Sequence, residues 1–195
     1  DLSFKKGLKI KISILQMWFK IIFACIPAAV IGILFDDQLN AWFYNYQTVS
    51  IMLILFGILF LVIENMNYGK KPQIVKISQI TYQTAFLIGL FQLIAAVFPG
   101  TSRSGATIIG GLLIGMSRTI AAEFTFFLAV PVMFGASFLK LIKFGIAFES
   151  DEIAVLLVGM VVAFVVSILS IKFLMGYIKK NNFKAFGWYR IVLGI

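Results

Sequence analysis

Four stretches of this chain, 18–35, 46–63, 124–142 and 153–171, are almost free of charge, and a fifth begins near 183 and runs to 195. A bilayer core takes about 20 mostly apolar residues per helix. Lipid offers no hydrogen bonds, so such runs must close their backbone groups internally, as helices do. Composition agrees: 61% of the 195 residues are apolar and 13% charged, against about 25% charged in soluble domains. The mean hydropathy is +1.01. The chain therefore reads as an all-α integral membrane protein, a polytopic helical bundle in one membrane domain. Trp18 sits at interface depth, Lys20 is placed to snorkel, and Pro131 predicts a kink in the third run.

The segment 81–116 differs from the other runs. Its first part is apolar but carries Gln83 and Gln92 and ends at Pro99-Gly100; then come Thr101, Ser102, Arg103 and Ser104, and a shorter apolar run to Met116. This pattern predicts a re-entrant helix-loop-helix with its polar turn, 99–105, inside the membrane. Irregular backbone is tolerated at that depth only under cover of protein or a wet cavity.

Charge gives the orientation. Lys5, Lys6, Lys9 and Lys11 precede the first run, and Lys70, Lys71 and Lys76 follow the second. Arg118 follows the hairpin, and Lys179, Lys180 and Lys184 follow the fourth run. If the hairpin returns to the side it entered, all of these share one face, the cytoplasmic one. The other face receives Asp36, Asp37, Glu149, Asp151 and Glu152, with Lys140 and Lys143 as counterweight.

The chain has no His and a single Cys, Cys25, which excludes an internal disulfide, the usual His/Cys zinc sites and a Ser-His-Asp triad. The net charge of +9 lies at the ends of apolar runs rather than in a surface stripe, so no nucleic-acid partner is expected. Arg103 is the informative residue, because an Arg within a membrane costs at least about 2.5–3.5 kcal/mol and marks a functional site. Three hydroxyls and two glycines surround it just before a helix. Unpaired amides, the positive helix end and a bidentate guanidinium make a phosphate or carboxylate cradle there. The bland alternative is a polar hinge. A nucleotide P-loop is rejected, since Ala106 stands where its Lys belongs. Gly111 and Gly115 suggest helix packing. Glu64 and Glu123 read as helix-end charges, with catalytic acids as the alternative for both and Glu123 also a candidate supporting residue. Gln92 reads as an interhelical hydrogen-bonder, or as a group reaching the loop or substrate.

The run from Phe98 to Ile108, Phe-Pro-Gly-Thr-Ser-Arg-Ser-Gly-Ala-Thr-Ile, resembles the signature of the undecaprenyl-diphosphatase, or bacitracin-resistance, family. The segments from Gly110 to Arg118, Ala122 to Pro131, Ile26 to Gly32 and Tyr189 to Gly194 resemble the same family. The resemblance implies an inverted-repeat fold in a bacterial plasma membrane. It also implies hydrolysis of a C55 polyprenyl diphosphate to the monophosphate, which recycles the lipid carrier for peptidoglycan synthesis and confers bacitracin resistance. It assigns catalysis to Ser102 and Arg103, flanked by Thr101 and Ser104. Gly100 and Gly105 join the phosphate site because small residues let the backbone come close to a ligand.

The family's other loop supplies an acidic pair and a His in a Glu-x-x-x-Glu segment, and no such segment occurs in these 195 residues. The chain opens on Asp1 and closes inside an apolar stretch. It is therefore expected to be a piece of a longer protein, inactive by itself. A divalent cation, Mg or Ca, is an expected cofactor whose ligands would lie outside this chain, and a homodimer is an expected assembly. The alternative function is a transporter or flippase for a polyprenyl phosphate or another anionic lipid, since broken helices also bind anions in carriers.

Overall fold

A computed structural model describes residues 2–144 and 150–195. Glu149, counted above, lies outside the described residues, as do the side chains of Lys5, Lys6, Lys9, Lys11, Lys143, Asp151 and Glu152. Among the described residues there are seven α-helices: α1 Leu2–Phe43, α2 Tyr46–Met66, α3 Tyr82–Val97, α4 Arg103–Leu113, α5 Arg118–Phe144, α6 Ser150–Lys180 and α7 Lys184–Gly194. Four stretches are long and apolar enough to cross a membrane: Ile14–Phe43, Tyr46–Met66, Arg118–Ile142 and Ile153–Lys180. The protein is thus an all-helical, multi-pass membrane protein.

The helix starts follow local chemistry. The Asn45 side chain accepts from Thr48 N (2.8 Å) to begin α2, and Thr81 accepts from Thr84 N (3.1 Å) to begin α3. Ser117 accepts from Ile120 N (3.3 Å) to begin α5. α1 departs from helical geometry at Phe35 (φ −125°) rather than at Pro27, where the apolar run meets Asp36 and Asp37. α5 continues as one α-helix through Pro131. Lys20 does not reach away from the protein. Its ammonium donates to Ile80 O (2.6 Å) and lies over the Tyr82 ring (5.7 Å), fastening α1 to the start of α3.

α2 packs along α7 and α1 along α3, while α4 touches α2, α3 and α5. Every residue of α4 from Gly105 to Leu112 is buried. Its neighbours include Phe56, Phe60 and Ile63 of α2, with Ile178 and Phe183. A second cluster joins Ile21 and Ala24 of α1, Ala85 and Ile88 of α3, and Phe124 and Leu128 of α5. α6 is the opposite case: 153–173 is exposed throughout, as suits a helix solvated by lipid.

The hairpin returns to the end at which it entered. Gly115 (φ +89°) ends α4; its amide bonds to Leu112 O (3.2 Å) and the Met116 amide to Gly111 O (2.9 Å), a left-handed glycine cap. Gln73 N donates to Gly115 O (2.8 Å), and Ser117 N to Ile74 O (2.9 Å). The α4–α5 turn is thereby pinned to the segment that follows α2. Of the glycine pair expected to pack helices, Gly111 lies against Ala121, where a Cβ would come within 3.0 Å, while Gly115 turns the chain.

Candidate active site

The hairpin tip lies beside the first turn of α2. Gly100 adopts φ +86°, and a Cβ there would stand 2.6 Å from Val49 O, so glycine alone lets the loop pass. The Phe98 ring meets Phe43 with centroids 4.8 Å apart. Val49 is three residues into α2, roughly 5 Å along its axis. The tip therefore opens close to the end opposite Lys70 and Lys71.

Ser102 is the one non-glycine residue with positive φ among those described (φ 63°, ψ 114°). Such a conformation costs on the order of 1–3 kcal/mol and persists where the surroundings impose it. It lets Ser102 cap α4: its Oγ accepts from Gly105 N (3.3 Å) and its carbonyl from Ala106 N (3.0 Å). Ser102 Oγ and Ser104 Oγ lie 3.3 Å apart. The amides of Arg103 and Ser104, the first two of the helix, meet no acceptor among the described residues. They point where the positive helix end favours an anion.

The loop is held from behind by Arg190 of α7. Its Nη2 donates to Gly100 O (2.6 Å) and Thr101 O (2.7 Å). A Cβ on Gly105 would come within 3.1 Å of Arg190 Nη1, so Gly105 makes room for this guanidinium. Thr107 fixes the next turn, its hydroxyl donating to Arg103 O (3.0 Å) and accepting from Thr125 of α5 (2.9 Å).

The residues expected to form the phosphate cradle thus divide in two. Ser102 and Ser104 are exposed and Arg103 is half-buried. Arg103 and Ser104 open on a cavity of about 540 Å³ with Val132, Met133, Ala136, Ser137 and Lys140 of α5. Among the described residues the Arg103 guanidinium has no ion pair or hydrogen bond. Gly100, Thr101 and Gly105 instead belong to the scaffold: Thr101 is fully buried, and the Gly105 amide is taken by Ser102.

Gln92 is buried, but neither atom of its amide has a partner, so it makes no interhelical hydrogen bond among the described residues. Glu123 is partly buried on α5, and no hydrogen bond or ion pair joins it to the loop among the described residues. Glu64 is more than a helix-end charge. It is 2% exposed, pairs with Arg118 (2.6 Å), and accepts from Phe183 N (2.9 Å). No group of three His, Cys, Asp or Glu able to hold a metal exists among the described residues. These residues do not fit a metal centre.

Residues 3–195 match the family described as bacitracin resistance protein BacA. The chain belongs to this family. Its relatives include the undecaprenyl-diphosphatase of Desulfitobacterium hafniense, 70% identical over 193 residues, which are 99% of this chain and 69% of that protein. The undecaprenyl-diphosphatase 1 of Clostridium acetobutylicum is 68% identical over 192 residues (98% and 70%). That of Lachnoclostridium phytofermentans is 63% identical over 185 residues (95% and 67%). Within this candidate site, Arg190 is the residue that sequence reasoning passed over. Its signal was present: a guanidinium in the otherwise apolar stretch from Trp188 to Ile195 needs a partner.

Proposed function

We propose that the chain hydrolyses undecaprenyl diphosphate to undecaprenyl phosphate and inorganic phosphate in the bacterial plasma membrane, the activity that its relatives' names carry. The observation that carries this reading is the unpaired Arg103 beside the two unpaired amides of α4, all opening on a cavity walled by apolar α5. A lipid diphosphate matches both parts, its phosphates on the cations and donors, its isoprenoid chain along Val132 and Met133. Water adds to the terminal phosphorus and the bond to the bridging oxygen breaks. Arg103, with the Arg103 and Ser104 amides, stabilises the charge that builds on the phosphoryl oxygens, and the Ser102 and Ser104 hydroxyls orient them.

On this reading the site opens to the extracytoplasmic side. The position of Gly100 beside Val49, away from the lysine-rich end, supports that orientation. A divalent cation, Mg or Ca, would be held by the acidic pair of the family's other loop and not by these residues. A homodimer is proposed too, with α6, exposed along 153–173, as an available face. The test is phosphate release from undecaprenyl diphosphate by the purified full-length protein. Release that depends on Arg103 supports the reading; lipid movement across vesicles without phosphate release would replace it with a carrier.

A further inference from the structure

At the end of the molecule opposite the catalytic loop lies the larger cavity, about 840 Å³. Lys70, Lys71, Arg118, Lys179 and Lys180 line it, from three segments distant in sequence. Its one carboxylate is Glu64, already committed to Arg118 and to the Phe183 amide. The four lysines therefore face the cavity without a counter-charge: none makes an ion pair among the described residues.

The walls are fixed rather than loose. The Glu64–Arg118 pair ties α2 to α5, Gln73 N bonds to Gly115 O (2.8 Å), and Asn67 Nδ2 donates to Leu112 O (3.3 Å). The rim is apolar in part. Tyr68 and Leu113 line the same cavity while 84% and 51% exposed. A cationic pocket at the end of membrane-spanning helices, with an exposed tyrosine and leucine at its mouth, matches an amphiphile better than a free ion.

We propose that this cleft binds the headgroup of an anionic glycerophospholipid from the leaflet at that end. The phosphate lies among Lys70, Lys71, Lys179 and Lys180, and an acyl chain leaves past Leu113. Such a lipid bridges the segment after α2, the α4–α5 turn and the end of α6, bracing the base of the hairpin whose tip carries Arg103. Orientation by positive charge alone requires lysines at this end but not their convergence on one cavity.

The experiment titrates the purified full-length protein with phosphatidylglycerol or phosphatidylcholine and counts bound lipid by native mass spectrometry. The wild type should favour phosphatidylglycerol by at least about tenfold, and each lysine changed to Gln should weaken that preference by up to about fivefold. The pairs Lys70→Gln/Lys71→Gln and Lys179→Gln/Lys180→Gln are measured separately, so that a folding failure in one leaves the other readable. Lys76→Gln removes a charge from the same end outside the cavity and should leave the preference intact. Equal binding of the two lipids, or a preference that survives both pairs, overturns the proposal. Displacement of phosphatidylglycerol by millimolar inorganic phosphate would assign the cleft to free phosphate and overturn the lipid assignment.

Discussion

Arg190 and Gly100, ninety residues apart in sequence, are joined by a 2.6 Å hydrogen bond from guanidinium to carbonyl. The same nitrogen reaches Thr101 O at 2.7 Å. The loop that carries Ser102 and Arg103, with its strained backbone, thus takes its shape from a helix that contributes no group to the cavity beside Arg103. Arg190 is a positioning residue.

Its removal should therefore affect turnover through geometry. Arg190→Ala leaves the buried Thr101 carbonyl without this donor, at about 1–3 kcal/mol, and the partly buried Gly100 carbonyl as well, at less. Phosphate release should fall at least about tenfold, since small misplacements of a site are costly. Arg190→Lys keeps a charge that can reach one carbonyl, and should recover part of the loss. Normal turnover by Arg190→Ala would show that the loop holds its shape unaided.

Arg103 has the opposite role, and its substitutions should behave differently. A guanidinium grips two phosphate oxygens in parallel and an ammonium cannot. Arg103→Lys should lower phosphate release at least about tenfold, or roughly 1.4 kcal/mol of transition-state stabilisation. Because the Arg103 guanidinium makes no ion pair or hydrogen bond among the described residues, Arg103→Ala should lower turnover further while thermal stability stays within about 0.5 kcal/mol of wild type. A large loss of stability would instead make Arg103 structural.

How far the site could be read from the sequence follows from the range of each interaction. The membrane runs announce themselves within about 20 residues, and the helix-loop-helix within 81–116, so both are legible. Thr101 and Ser104 are chemically alike and three residues apart, yet one is fully buried and the other exposed. That division comes from positive φ at Gly100 and Ser102, which no pattern of residue types announces at a serine. The Glu64–Arg118 and Arg190–Gly100 contacts bridge 54 and 90 positions, beyond any local pattern. Gln92 was seen as polar within an apolar helix, but its lack of a partner is visible only in three dimensions.

Ser102 offers a test that separates backbone from hydroxyl. Ser102→Ala removes the cap on Gly105 N, which costs about 1 kcal/mol, and keeps the strained φ. Ser102→Gly also removes the hydroxyl but relieves the strain, so it should unfold at a higher temperature than Ser102→Ala. Turnover should fall in both variants if the hydroxyl orients phosphate. Recovery of turnover in Ser102→Gly alone would assign the residue to loop shape.

The ion pair of Glu64 and Arg118 should matter for stability and not for chemistry. Glu64 is 2% exposed, and it takes both Arg118 (2.6 Å) and the Phe183 amide (2.9 Å), joining α2 to α5 and to the start of α7. Removing one partner of a fully buried pair costs about 3–5 kcal/mol, whereas replacing both by apolar residues of similar size is often neutral. Arg118 is 39% exposed, so solvent screens this pair and the loss should fall below that range. Here the Phe183 amide would lose its acceptor in either case, so the double replacement should remain destabilised by about 1–3 kcal/mol. Thermal unfolding in detergent of Glu64→Leu, Arg118→Met and the combination makes the cycle. Glu64→Leu should be the most damaging, Arg118→Met intermediate, and the combination less damaging than Glu64→Leu alone. The folded fraction of each should hydrolyse lipid diphosphate with a KM near that of wild type, since neither residue borders the cavity of Arg103. A fall in kcat that exceeds the loss of folded protein would place this ion pair in control of the catalytic loop, through the α7 helix that carries Arg190.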